Sequence, residues 1–482
     1  MSSIIDSVLE RFKVIFETSY PTLLLPESGC LDVPVMLAQF IPFLNVLGRV
    51  FVQVLVERIS GMYHEKVIVR GSSRAEATLK DATKTRTVVM NTIGPVEIAS
   101  HKYYDPAEKK CFMLPNEIMG FRPGERIQED VKLELLEAAT AKSYRKSAAA
   151  VTDGSVSYGT VKNIVHDRRA PELAPPEKKR KVKELFVFLD EAHVHMQPAC
   201  PGAVRRCQQV PLATIAEGRQ SVCKGRYTLT GRTQLVDARF TSESLLRKTE
   251  AFIHLFYDLD VLEKVYVYGD GAAWICQALD DSGFNVEHVH DCYHRFKMIT
   301  YLHNKFPHSK VRTRVQEALE SNDWTKFDKM IKGLRKLAEG DKERTRALDR
   351  FETYFTQHWD GLVASVRKDI PKSCTEPMVY HALAVRFTTN PSGWSATGLG
   401  NLAEWRLLAR NGAQIRECRA GQPAPGTVPA GTYTAYLKAC MEPDGSTAHD
   451  WSIFNPLPPV FDGNSGTMHA LRNLGRHETM LA

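Results

Sequence analysis

The chain has 482 residues, 43% of them hydrophobic, which is enough for two to four domains with cores of their own and far from the composition of a disordered chain. Sixty-three lysines and arginines against 56 acids leave a net charge of +7, which permits a polyanionic partner without requiring one. Ten cysteines with no C-x-x-C pair exclude a zinc ribbon and a thioredoxin-type motif, are too sparse for a disulfide scaffold and, with no signal peptide at the start, point to a reducing cytoplasm.

Residues 1–127 open with a helical region. Val33 to Val56 is largely apolar, but Gln39, Asn45, Arg49 and Gln53 interrupt it on one side. Leu37, Phe40, Phe43, Leu44, Leu47, Val50, Phe51 and Val54 follow a three-to-four spacing. The pattern is that of an amphipathic core helix, not a membrane span, and no membrane partner is expected. Thr87 to Asn91 and Val96 to Tyr104 read as two strands around Ile93-Gly94-Pro95, and Phe112 to Gly120 as a connector.

From Gln128 the pattern turns helical. Val131, Leu135 and Ala138 share a face, Ser143 to Val151 forms a second short helix, Asp153-Gly154 turns the chain, and Ser157 is placed to cap a third helix, Tyr158 to His166. Three short helices with a tight turn before the last match a DNA-binding helix-turn-helix over 128–169, and they suit a plain helical connector equally. In the first reading Lys162, Arg168 and Arg169 face phosphates. Residues 170–183 form a linker kept extended by Pro171, Pro175 and Pro176. Its run Lys178-Lys179-Arg180-Lys181 reads as a solvated charge run that can also meet DNA phosphates.

Two stretches then share one design, a buried apolar strand ending on an acid: Leu185 to Leu189 before Asp190, and Val265 to Tyr268 before Gly269-Asp270-Gly271. Open α/β sheets bind ligands at the carboxyl ends of their strands, where such an acid sits, although strand-Asp-Gly also makes an ordinary turn. His193 and His195 point the same way on a strand and, lacking a third ligand at metal spacing, read as satisfied side chains. Gln209 to Ile215 and Tyr227 to Phe240 are further strands, Ser242 to Leu255 and Ala272 to Leu279 helices, Asn285 to His290 a strand, and Asp291-Cys292-Tyr293-His294 opens another helix. The order strand, strand, strand, helix, strand, helix, strand, helix is that of an RNase H-like mixed-sheet α/β core, with acids on the first and fourth strands.

That core occupies 184–306 and resumes at 373–416. Between them, 307–372 is an all-helical insertion with Trp324, Phe327, Ile331 and Leu334 on one apolar face and Leu348, Phe351, Phe355, Trp359 and Leu362 on another. Residues 417–482 form a C-terminal extension, with a flexible break within it at Gln422 to Gly426.

Asp190, Asp270 and Glu376 together form a possible carboxylate triad, and carboxylates suit two Mg²⁺ or Mn²⁺ ions where imidazole or thiolate would not. Glu376 has a structural rival, because Ser373-x-x-Glu376 is also a capping box. Glu404 and Glu417 are the other acids to consider for the third position.

The motifs FLDEAHVHMQ (Phe188 to Gln197), YGDGAAWI (Tyr268 to Ile275), CTEPMVYHALAVRF (from Cys374) and NPSGWSATGLGNLAEWRLLARNG (to Gly412) resemble those of bacterial insertion-sequence transposases of the ISLre type, distant relatives of Mutator-like transposases. The resemblance covers about Thr87 to Gly412. It implies a DDE transposase: an RNase H-like fold, two Mg²⁺ ions, binding to terminal inverted repeats and target DNA, and a homodimer or larger assembly. Asp190, Asp270 and Glu376 match the three catalytic, metal-binding acids, and this match favours ligand over cap for Glu376. Asp291-x-x-His294 matches the Cys/Asp-x-x-His element that follows the second acid, which makes both supporting residues. Ala192 departs from the pattern, where another acid is expected. Two alternatives stand beside this reading, a non-cutting DNA-binding descendant of a transposase and a stand-alone RNase H-like nuclease.

Overall fold

A computed structural model describes residues 2–19, 33–63, 78–90, 93–113, 116, 121, 124–198, 204, 206–223, 226–389, 393–418 and 424–441. Most of the expected C-terminal extension, including residues 422–423 of the break within it, lies outside the described residues. The chain divides into two units, 1–164 and 165–482.

In the first unit the apolar periodicity yields helix Val33–Tyr63. Its Val50 and Val54 pack with Val8 of helix Ser2–Ser19, while Val52 and Val56 pack on an antiparallel sheet of Thr78–Met90, Gly94–Asp105 and Lys110–Met113. Because the buried residues serve two neighbours, Leu44 and Phe51 fall between them and are exposed, against the single-faced expectation. No described helix is long and apolar enough to cross a membrane. Helices Glu129–Ala141, Tyr144–Thr152 and Tyr158–His166 follow. Ser143 caps the second of these by accepting from the Lys146 amide (3.3 Å), and Ser157 caps the third by accepting from that of Thr160 (3.1 Å).

The second unit is built on a five-stranded mixed sheet: β1 (Glu184–His195), β2 (Cys207–Ala216), β3 (Thr233–Leu235), β4 (Lys264–Gly269) and β5 (Val286–His290). The spatial order is β5-β4-β1-β2-β3. β1, β4 and β5 are parallel, and β2 runs antiparallel to β1 and β3. Strands flanked on both edges and covered on both faces must be apolar throughout, which is why Leu185 to Leu189 and Val265 to Tyr268 are all buried. Leu185, Val187, Val265 and Val267 share a core with helix Ser242–Phe256. On the other face Phe186 stacks on Tyr266 (5.3 Å) and Phe188 on Tyr268 (4.5 Å). These aromatic pairs lock the register of β1 against β4.

Three expectations change. The single strand over Tyr227 to Phe240 is divided: Arg226–Thr230 folds back on Gly218–Cys223 as a separate hairpin, and the chain re-enters the sheet only after Gly231 (φ +59°). The helix after Asp270 is one turn, Ala273–Cys276: the backbone leaves helical geometry at Gln277 (φ −118°, ψ 10°) and is left-handed at Leu279 (φ +66°). The proline-rich linker is docked in part, with Lys178 and Lys181 still exposed. Glu172–Leu173 pairs with Thr427–Val428, and Arg180 bonds Glu217 (2.6 Å) with its guanidinium over Phe256 and Tyr257.

The insertion forms helices Val311–Glu320, Trp324–Leu337, Lys342–Gln357 and Trp359–Ala364, joined in one core with Ile299 and Leu302 of helix Cys292–Lys305. The two apolar faces expected from sequence therefore meet each other. After it, Thr375 to Phe387 is continuous helix with a π turn at Tyr380–Ala384.

Candidate active site

The β1–β4 pairing runs from Lys264↔Glu184 to Tyr268↔Phe188 at a constant offset of 80 residues. Asp190 and Asp270 each lie two residues past the last pair, Asp190 still within β1 and Asp270 in the bend beyond β4. Asp190, within β1, shares the parity of Phe186 and Phe188 and so emerges on the sheet face that carries the aromatic rings. Helix Thr375–Val379 packs against β1 on this face, with Met378 in the aromatic cluster. The Tyr268 hydroxyl donates to the Pro371 carbonyl (2.8 Å), tying the chain that enters this helix to β4.

Two further residues fix the turn after β4. Asp270 Oδ1 accepts from the Ala272 amide (2.9 Å), so the Asp-Gly turn is real. Gly271 has φ +90°, and a Cβ there would stand 2.8 Å from the His358 ring and 3.1 Å from His290 Nε2. Asp190 Oδ1 accepts from the Glu191 amide (2.8 Å).

The electrostatics link the three acids. Burial pushes the Asp190 carboxyl up to about 7, and the charges of Glu376 and Asp270 add to the rise against the opposing pull of His294 and the Glu191 amide. Glu191, on the opposite face of β1, is also raised, first by burial and then by Asp270, while His193 and Gln209 (2.8 Å) oppose the shift. His193 lies 3.6 Å from Glu191, consistent with a satisfied side chain.

Asp291 caps helix Cys292–Lys305 and accepts from the His294 amide and ring Nδ1, both at 3.1 Å. The same carboxylate accepts from the Ser373 hydroxyl and, at 2.9 Å, from that of Thr375. Burial acts to raise Asp291, but these hydrogen bonds outweigh it and hold the group well below the usual carboxylate range. The hydrogen bond to Asp291 in turn raises His294, whose Nε2 lies 4.0 Å from Glu376. Ser373 thus serves Asp291, and helix Thr375–Val379 has no side-chain cap. The capping-box reading of Glu376 is not the one the geometry adopts, and the Glu376 side chain is half exposed.

Sequence reasoning missed Ser373 and Thr375 as partners of Asp291, and Glu191 beside Asp190. Only the Asp-Glu pair itself signalled the latter. The other acids and bases divide. Glu404 is buried against Lys248 and Arg169, each at 3.6 Å, which engages it as an ion-pair partner. Lys162 and Lys178 are exposed, Arg169 and Arg180 have carboxylate partners, and Lys181 lies 3.8 Å from Asp258. The Arg168 carbonyl accepts from Trp405 Nε1 (3.1 Å), and Lys179 is half-buried.

Among the described residues no three His, Cys, Asp or Glu side chains are drawn into one metal-ligating group. Glu376 reaches Asp190 as a neighbouring charge and not as a contact. Carboxylate oxygens are nonetheless the donors that suit a hard divalent cation, and the charges of Glu376 and Asp270 act on Asp190 beside its burial.

Two UPF0236 proteins of Caldanaerobacter subterraneus subsp. tengcongensis are each 26% identical to this chain over 425 residues. One, carried under eleven locus numbers in that genome, is covered to 85% of its length and the other to 86%, each by 86% of this chain. The Drosophila P element transposase in its strand transfer complex aligns with 71% of this chain and 90% of its own, at 11% identity and a TM-score of 0.22, too low to bear on fold or function. The model of the uncharacterised protein family UPF0236 matches residues 32–423, and the chain belongs to that family.

Proposed function

We propose that the protein is a DDE transposase of the ISLre type, with an RNase H-like core that cuts and joins DNA at terminal inverted repeats. The observation that supports this most is the parallel pairing of β1 with β4, with Asp190 and Asp270 each two residues past its last pair and the Glu376 helix packed against β1. The strand order, with the first strand between the second and fourth, is the one an RNase H-like core requires. A relative carried at eleven loci of one genome fits a mobile element.

Asp190, Asp270 and Glu376 would hold two Mg²⁺ or Mn²⁺ ions. When bound, these ions activate water or a DNA 3′-hydroxyl and stabilise the leaving 3′-oxygen of an in-line displacement at phosphorus. The chain's own residues do the positioning. Asp291 orients the His294 ring through Nδ1, which turns Nε2 towards Glu376, and Ser373 and Thr375 hold Asp291 in place. Residues 128–169 act as a helix-turn-helix on the repeats, with Lys162 on the exposed side of its last helix, and Lys178 and Lys181 add charge nearby in sequence. Two ends must be held together, so the working form is a dimer or larger.

The test is cleavage of a DNA end carrying the inverted repeat that flanks the gene, in Mg²⁺, by the wild type and by Asp190→Asn, Asp270→Asn and Glu376→Gln. Each variant is expected to lose about 10³-fold or more while still binding the end, with a triple variant little worse than a single one, because residues acting as a unit are not additive. An active Glu376→Gln protein would return that residue to a structural role. Repeat binding without cleavage by the wild type would establish the non-cutting reading.

A further inference from the structure

Helix Cys292–Lys305 begins at the Asp291 cap and His294, and it leaves one face uncovered. Tyr293 (54%), Phe296 (55%) and Tyr301 (37%) are exposed at i, i+3 and i+8, while Arg295, Ile299 and Leu302 are buried on the opposite side. Three aromatic rings at helical spacing in water lose free energy that burial would return, so the face calls for a partner. The Tyr293 ring lies edge-on to His294 at 5.3 Å, and His294 lies 4.0 Å from Glu376. The stripe therefore starts at the carboxylate site. Tyr380, 51% exposed and one turn beyond Glu376 on the neighbouring helix, adds a fourth ring.

Charge identifies the partner. After its cap the helix carries no acid, and Lys297 is exposed, whereas Arg295 is buried and Lys305 pairs with Glu343. Lys297 Nζ lies 5.9 Å from the Tyr293 ring and the Arg350 guanidinium 5.8 Å from that of Tyr301, so cations are interleaved with the aromatics. The core of a protein–protein interface is depleted in charge, whereas rings alternating with Lys and Arg suit bases and their phosphates. A duplex hides the faces of its bases by stacking, so exposed rings can take only bases that are unpaired. From Tyr293 to Tyr301 the helix rises about 12 Å, the length of about three nucleotides at roughly 3.4 Å each.

We infer that this face is a stacking platform for a short unpaired segment of the DNA strand leading into the carboxylate site. The inference rests on the proposed reading for the identity of the strand, but its test does not involve cleavage. In EDTA, with the full chain, the anisotropy of fluorescein-labelled oligo(dT) of twelve nucleotides is compared with that of a duplex of the same length. Tyr293→Ala and Phe296→Ala should each weaken oligo(dT) binding about five- to a hundredfold. Tyr293→Phe and Phe296→Tyr should retain it, and duplex binding should not change. Oligo(dT) affinity unchanged in the alanine variants would overturn the platform, and so would an equal loss for duplex and single strand. A shift in sedimentation towards monomer with DNA binding intact would also overturn it, by making the face an interface between copies. Failure of the acid variants to alter cleavage would leave this result standing, so the two readings fail separately.

Discussion

Replacing Asp190 with asparagine should stabilise the metal-free protein, and the gain should grow with pH. The folded state holds the Asp190 carboxyl at about 7 against an ordinary 3.8, chiefly through burial and then through Glu376 and Asp270. In this window the folded state binds more protons than the unfolded chain, so stability falls as pH rises. Below 3.8 both states are protonated and the group costs nothing. Above 7 the folded state carries a buried, repelled charge at full cost. At about 1.36 kcal/mol for each tenfold change in proton affinity, the cost reaches at most about 4 kcal/mol.

Urea unfolding of the wild type and Asp190→Asn in EDTA, at intervals from pH 4 to pH 8, measures it as a difference between two proteins. The difference matters because burial also lowers His290 to about 4, so that group removes stability as pH falls from 6.5 and opposes the Asp190 trend in both proteins alike. The expected outcome is near-equal stability at pH 4 and an advantage of up to about 4 kcal/mol for the variant at pH 8. Millimolar Mg²⁺ should shrink that advantage by stabilising the wild type. A difference that stays flat across the range would refute the account of Asp190 as a repelled, half-buried carboxylate.

Two other substitutions test the supports of the two units. Gly271→Ala should destabilise by about 1–2 kcal/mol from its positive φ alone, and more once the new Cβ meets His358, as read by urea midpoint. Ser157→Ala should cost about 1 kcal/mol through loss of the cap on helix Tyr158–His166 and should weaken repeat binding, whereas unchanged binding would detach that helix from DNA recognition.

The sheet was largely legible, because a strand buried on both faces must read as an unbroken apolar run. Leu185 to Leu189 and Val265 to Tyr268 do so, and each ends on its acid. The cap at Ser157 was legible for a similar reason, since its partner is three residues away. Glu376 was legible only through family resemblance. Its local signal, Ser373-x-x-Glu376, points to a cap, and the competitor that captures Ser373 is Asp291, 82 residues earlier. The docking of Arg180 was hidden likewise, because Glu217 and the rings of Phe256 and Tyr257 come together only in the folded chain. A charge run looks solvated until its partners are known. The break at Gly231 and the early stop at Gln277 are backbone conformations that no apolar periodicity reports.

The insertion braces the elements that carry Asp270 and Glu376. It leaves the core after helix Cys292–Lys305 and shares that helix's buried side, so His294 is anchored to it. Tyr354 bonds His290 Nε2 at 2.8 Å, and the His358 ring occupies the space that a side chain at position 271 would need. Both contacts brace the turn that carries Asp270. Where the insertion ends, Arg295 bonds the Ser365 hydroxyl (2.5 Å) and Tyr268 holds the Pro371 carbonyl, five residues before Glu376. From the far side, Arg406 donates to the carbonyls of Ala382 (2.5 Å) and His381 (2.8 Å), at the π turn of the Glu376 helix. One part of the insertion braces the turn that carries Asp270, and its end braces the chain that leads into the Glu376 helix.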